Sequence, residues 1–174
     1  MGVMTTPDID DAENASRAHD FLHALLTPLI PHDPTGIAIK AQASEVLLLA
    51  SARNMGAIIG KGGSMVEALR QLMRPFGWRL QVPSHARHDL HTPPLDNPPD
   101  VRTLALGWLD ARYGPEAYKL AGEPESLLWE VFVHPNHYDH ADHSALETWA
   151  YNASRAQGQR LKIRLKPGGL IKER

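Results

Sequence analysis

The stretch IIGKGGSMVEALRQLM, residues 58–73, sets three glycines and a lysine directly in front of an amphipathic helical segment. Glycine opens left-handed backbone conformations and lets the chain approach a ligand that a Cβ would hold off. Gly60-Lys61-Gly62-Gly63 is therefore a loop, and the residues after it form a helix. Met65, Leu69, Leu72 and Met73 recur on one face, Ser64 and Glu67 have capping-box spacing, and Pro75 with Gly77 stops the helix. A helix-to-helix turn needs one left-handed glycine; three glycines and a lysine exceed that need.

The surroundings of the loop restrict the fold further. Ala15, Ala18, Leu22, Leu25 and Leu29 recur at helical spacing from about Ala12 to Ile30, where Pro28 and Pro31 close a first helix. IAIKAQA alternates as a strand, and EVLLLASA is apolar enough for a strand covered on both faces, so the two are expected to form a hairpin. A short helical turn, RNMG, precedes the loop, and WRLQV after the helix alternates as a strand. The order is α-β-β-α-α-β. Residues 84–100, SHARHDLHTPPLDNPPD, carry four prolines and little apolar content, which predicts a stiff linker. Beyond it the expected elements are a helix over 101–113 stopped by Gly114, a strand around 127–134, a helix from about Asp142 to Ala156, and a strand RLKIRLK. No internal repeat is visible in the sequence.

A glycine loop before a helix binds phosphate, because free N–H groups and the positive helix end converge there. In a Walker loop the lysine would directly precede a hydroxyl residue, but Lys61 is followed by Gly62 and Gly63, and the dinucleotide pattern Gly-x-Gly-x-x-Gly is absent. What remains is Gly-x-x-Gly between two helices, the loop with which KH domains clamp about four nucleotides of backbone. Over about residues 15–83 the chain resembles the small bacterial KH-domain RNA-binding proteins of the KhpA type. The likeness rests on Met55 and Gly56, then on Ile58, Ile59, Gly60, Lys61, Gly63, Ala68 and Leu69, and on the element order, which is that of type II KH domains. About 90 further residues, with no recognisable Arg-x-x-x-His module, lie outside the resemblance.

The expected ligand is single-stranded RNA, with single-stranded DNA as a second candidate. Gly60, Gly62 and Gly63 would let the backbone meet phosphate, Lys61 would add a mobile cation, and Ile58, Ile59 and one face of EVLLL would floor a groove for bases. Arg53 and Arg70 are candidates to flank its path. The formal net charge of −2 hides an uneven distribution: five acids oppose Arg17 in residues 1–20, whereas six Lys and Arg oppose Glu45 and Glu67 in residues 36–83.

With no cysteine, the chain has no disulfide framework and no thiolate metal site, which suits a reducing compartment. No apolar run reaches transmembrane length and the polar N-terminus lacks a signal-peptide core, so the expectation is a cytoplasmic protein with no membrane partner. His134, His137, His140 and His143 recur at intervals of three with Asp139 and Asp142 between them. His140, His143 and Glu147 could share a helix face and hold a divalent metal, or Asp142 could simply cap the helix. In RLKIRLK, Arg160, Lys162, Arg164 and Lys166 form one face, either a second surface for nucleic-acid backbone or an aggregation-blocking edge. Trp108, Trp129 and Trp149 could stack on bases but fit a core better.

The resulting expectation is an α+β protein in four parts: an acidic flexible N-terminus (1–14), a type II KH domain (15–83), the Pro/His-rich linker (84–100) and a smaller α/β module (101–174). No cofactor and no catalytic constellation are implied. The rival readings are a metal-dependent RNA-processing enzyme using the 134–143 histidines and a KH-like scaffold for a protein partner.

Overall fold

The computed structural model describes residues 5–168, with side chains from Asp10 onward. Helix α1 spans Thr5–Leu26, followed by a 3₁₀ turn through Leu29. The hairpin β1 (Ile37–Gln42) and β2 (Glu45–Ala50) comes next, then α2 (Ala52–Ile59), the glycine loop, α3 (Ser64–Met73) and β3 (Arg79–Gln81). The expected order thus holds for the first half. The start of α1 does not: the chain is already helical at Thr5, and most of the segment expected to be a flexible lead is the first turns of that helix. Asn14 anchors it, accepting from Trp78 Nε1 (2.9 Å) and donating to the Ala43 carbonyl (3.3 Å). Residues 1–4 of the expected lead lie outside the described residues.

The second half consists of α4 (Val101–Tyr113), β4 (Tyr118–Ala121), β5 (Leu128–Val133), α5 (His140–Arg155) and β6 (Lys162–Pro167). Strand β4 was not expected, being four residues long and hemmed in by Gly114 and Gly122. With it, the second half reproduces the architecture of the first. Each half holds a three-stranded sheet in sequential order, in which the middle strand runs antiparallel to the strand before it and parallel to the one after. A parallel pair needs a crossover; α2 and α3 supply it between β2 and β3, and α5 alone between β5 and β6. The repeat is one of topology, invisible in residue identities.

Nor are the two halves separately packed bodies on a linker. Helices α1, α2 and α3 cover the first sheet, α5 covers the second, and α3 packs against α5, giving a sheet–helix–helix–sheet sandwich with one continuous apolar core. Three polar contacts cross the seam, the two indole ones buried. Trp149 Nε1 donates to the Leu25 carbonyl (3.0 Å), Trp108 Nε1 to the Leu72 carbonyl (2.8 Å), and Gln71 Nε2 to Asp142 Oδ1 (2.9 Å). A buried indole N–H needs such an acceptor, and finding it on the other half fixes how the halves meet. Trp108, Trp129 and Trp149 are all core residues, at most 1% exposed.

The 84–100 segment has no regular element but is tied down. Arg87 N–H donates to the Ala50 carbonyl (2.9 Å), Thr92 N–H to the Thr35 carbonyl (2.9 Å), and the Thr92 hydroxyl to the Ile37 carbonyl. It is a strap across the Ile37–Ala50 end of the hairpin, where the prolines fix its path rather than hold two bodies apart. Asp100 then caps α4, accepting from Thr103 N–H (2.8 Å), and this hydrogen bond holds its carboxyl below the usual range. Among the described residues no helix is long and apolar enough to cross a membrane.

Candidate nucleic-acid interface

The glycine loop is held in place by the helices on either side. Ser51 caps α2 by accepting from Asn54 N–H (3.3 Å), and its hydroxyl donates to Asp33 Oδ2 (2.6 Å). The buried Asn54 side chain donates to the carbonyls of Asp33 (2.8 Å) and Gly36 (3.0 Å), so the start of α2 is stitched to the turn entering β1. Ile58, fully buried, and the stripe Met65, Leu69, Leu72 and Met73 then pin both helices to the core. The loop between them is left at the surface.

Gly60, Gly62 and Gly63 all have positive φ (77°, 64° and 81°). Gly60 N–H closes on the Gly56 carbonyl (2.9 Å) and Gly63 N–H on the Gly60 carbonyl (3.1 Å), while the Lys61 and Gly62 amides at the exposed tip donate to none of the described residues. The expected capping box is not formed: the N-cap of α3 is Gly63, which has no side chain, and Glu67 instead pairs with Arg70 (2.6 Å). No side chain therefore competes for the first-turn amides of α3. That is the electropositive helix end an anion uses.

The three glycines have different duties. A Cβ on Gly60 would lie 2.7 Å from both Met65 Cβ and Met65 N, and its ψ of 173° belongs to a region open essentially to glycine alone. Nothing lies within 4 Å of a Cβ on Gly62 or Gly63. Gly60→Ala is accordingly expected to destabilise the protein by about 3 kcal/mol, and Gly63→Ala by only about 1 kcal/mol. Urea unfolding of the two variants checks this ordering.

Beside the loop opens a cleft of about 530 Å³, lined from the first half by Gly60, Lys61 and Ser64 and from α5 by Tyr151, Asn152 and Arg155. Of the residues singled out in the sequence, Gly60 and Lys61 line this cleft, and Gly62 and Gly63 belong to the same loop. Ile58 is core rather than groove floor, and Ile59 is half-buried. The β2 face expected as floor borders a different depression, with Lys40, Leu47 and Gln81. Arg53 is exposed in the first turn of α2, about 10 Å along the axis from the loop. Arg70 braces the fold, its Nε reaching the Leu80 carbonyl (3.3 Å). Tyr151, Asn152 and Arg155 escaped sequence reasoning because nothing in the chain signals that α5 returns to residue 61.

Along β6 and the two residues before it, Leu161, Ile163 and Leu165 are buried, while Arg160, Lys162 and Arg164 are exposed as the alternation predicts. Lys166 is half-buried and engaged with Glu130 (2.9 Å). Among the histidines, the rings of His140 and His143 lie 5.7 Å apart and His143 Nε2 is 3.5 Å from Glu147 Oε1. No group of three or more His, Cys, Asp or Glu side chains arranged to hold a metal occurs among the described residues. Asp142 is not the cap of α5. Asp139 is, accepting from Ala141 N–H (2.9 Å), and Asp142 turns inward to the seam between the halves. No protein-family model, curated protein or solved structure matches the chain.

Proposed function

We propose that the protein binds single-stranded RNA through the 60–63 loop, in the manner of a type II KH domain, and carries out no chemistry on it. The observation that carries this reading is the loop itself: three positive-φ glycines around an exposed lysine at the uncapped start of a helix. Such a loop presents amide N–H groups and a cation to one phosphate after another along a strand, with no rigid shape that would demand a particular small ligand. The α-β-β-α-α-β order of the first half and the resemblance of residues 55–69 to KH proteins support the same reading.

RNA crosslinking with sequencing of the bound fragments tests it directly, and salt dependence tests the mode of contact. A loop that meets about two to four phosphates of a single strand gives a log K against log[salt] slope of roughly −1.4 to −2.8. A slope near zero, with no crosslinked RNA, would replace RNA with a protein partner.

A further inference from the structure

The second half has the same topology as the first but lacks the loop. Its crossover from β5 enters α5 through residues 134–139, which contain no glycine, so it has no phosphate cradle of its own. What it does have is a helix whose C-terminal turns stand against the first half's loop. Building on the RNA-binding reading, we infer that α5 supplies the second wall of the RNA site, with Arg155 contacting phosphate and Tyr151 stacking on a base, and that the strand continues past Tyr151 toward Lys162.

Three observations carry this. The cleft joining Lys61 to Arg155 encloses about 530 Å³, within the roughly 300–1,000 Å³ of small-ligand sites and so large enough for a nucleotide. Its two cations, Lys61 and Arg155, make no ion pair among the described residues, unlike Arg70, Arg79, Arg112 and Lys166. Among the described residues, no carboxylate offsets their charge. Finally, Tyr151 and Asn152 border a second depression of about 320 Å³, lined also by Glu147 and Lys162, so the two hollows share a wall along which the inferred track runs. The turn after α5 sets that geometry: buried Ser154 accepts from Leu161 N–H (2.9 Å), which brings β6 back beside the helix end.

The chemistry of the track suits single-stranded nucleic acid. Cations at intervals follow a phosphate backbone, and a half-buried tyrosine gives a base a sequence-tolerant stacking surface. Asn152 Nδ2 donates to the Thr148 carbonyl (2.8 Å), which leaves its side-chain oxygen as an acceptor for a base edge.

Arg155→Glu and Tyr151→Leu, made separately in the full chain, test the inference with labelled oligouridylates of roughly four and about twelve nucleotides. Both positions are at least partly exposed, so folding should persist, and thermal unfolding verifies it. The expected result for Arg155→Glu is about a tenfold loss on the longer probe, with its salt slope shallower by about 0.7, and a loss on the short one as well, because Arg155 shares its cleft with Lys61. Tyr151→Leu should weaken the longer probe about fivefold or more with the slope unchanged, as expected for lost stacking. If Arg155 serves only to close the helix end, Arg155→Glu lowers the unfolding temperature and leaves both affinity and slope intact. That outcome overturns the α5 wall while wild-type binding keeps the loop reading standing; wild-type protein that binds neither probe overturns both.

Discussion

Changing Lys61 and Gly62 together to aspartate is expected to weaken RNA binding at least about tenfold, or about 1.4 kcal/mol, with no loss of fold. Both residues are exposed at the loop tip and neither packs against the core. Gly62 has φ 64° and ψ 20°, the left-handed well that aspartate tolerates better than most side chains, and a Cβ there meets nothing within 4 Å. The backbone should therefore keep its path. What changes is charge: one cation disappears and two carboxylates stand where phosphate would sit. At a surface site each new like-charge contact costs about 1 kcal/mol in water and more where solvent is displaced, so two contacts plus the lost lysine exceed the tenfold threshold. Fluorescence anisotropy with single-stranded RNA measures it, with circular dichroism to verify the fold. Undiminished affinity in a folded double variant would remove the loop from the binding site.

A large effect on stability is also expected at Asp142. This carboxylate is fully buried at the start of α5, where one oxygen accepts from Gln71 Nε2 (2.9 Å) and the other from Arg112 Nε (2.9 Å) and the Tyr113 hydroxyl (2.7 Å). Arg112 also lies over the Tyr113 ring, 4.9 Å from its centroid. Burial, and after it the hydrogen bond to Asp142, raises the Tyr113 pKa well above its ordinary value, so the phenol keeps its proton and remains a donor. One side chain thus ties α3, α4 and α5 together across the two halves. Asp142→Ala leaves a guanidinium, a phenol and an amide without their acceptor and is expected to cost about 3 kcal/mol, the low end of the range for breaking a buried pair because the Arg112 side chain is 25% exposed. Against a total of about 5–15 kcal/mol this is severe. Adding Arg112→Met should recover part of the loss, since the uncompensated charge goes with it. Urea unfolding of the two variants measures both effects. Equal stability of Asp142→Ala and the parent would mean that the network only decorates the seam.

Much of the first half was legible because its signals are local. Period-3.6 apolar spacing marked α1 and α3, strict alternation marked β1 and, in the second half, β6, and the glycine run could only be a loop. Two helix starts were less legible. Ser64 and Glu67 have the spacing of a capping box, but Gly63 takes the N-cap position and Glu67 is drawn to Arg70. Asp142 has the chemistry of a cap, yet Asp139, three residues earlier, starts the helix and frees Asp142 to be buried. The boundary is displaced by one residue at α3, where a left-handed glycine takes the cap position, and by three at α5, where neighbouring aspartates offer alternative caps.

The sequence by itself determined the mixed α+β character, the order of elements through β3 and the place and chemistry of the glycine loop. Each depends on contacts or backbone preferences within a few residues. Only the tertiary structure decided that the prolines of 84–100 strap a hairpin, that the second half repeats the topology of the first, and that α3 and α5 share one core. It also brought Arg155 beside Lys61, residues far apart in the chain. An apolar helix stripe states that it must be covered but not by what: Met65 and Leu69 would read the same against their own sheet alone. The partner is chosen by shape and by where buried groups such as the Trp149 and Trp108 indoles can find acceptors, and that choice is made only when both halves are in place.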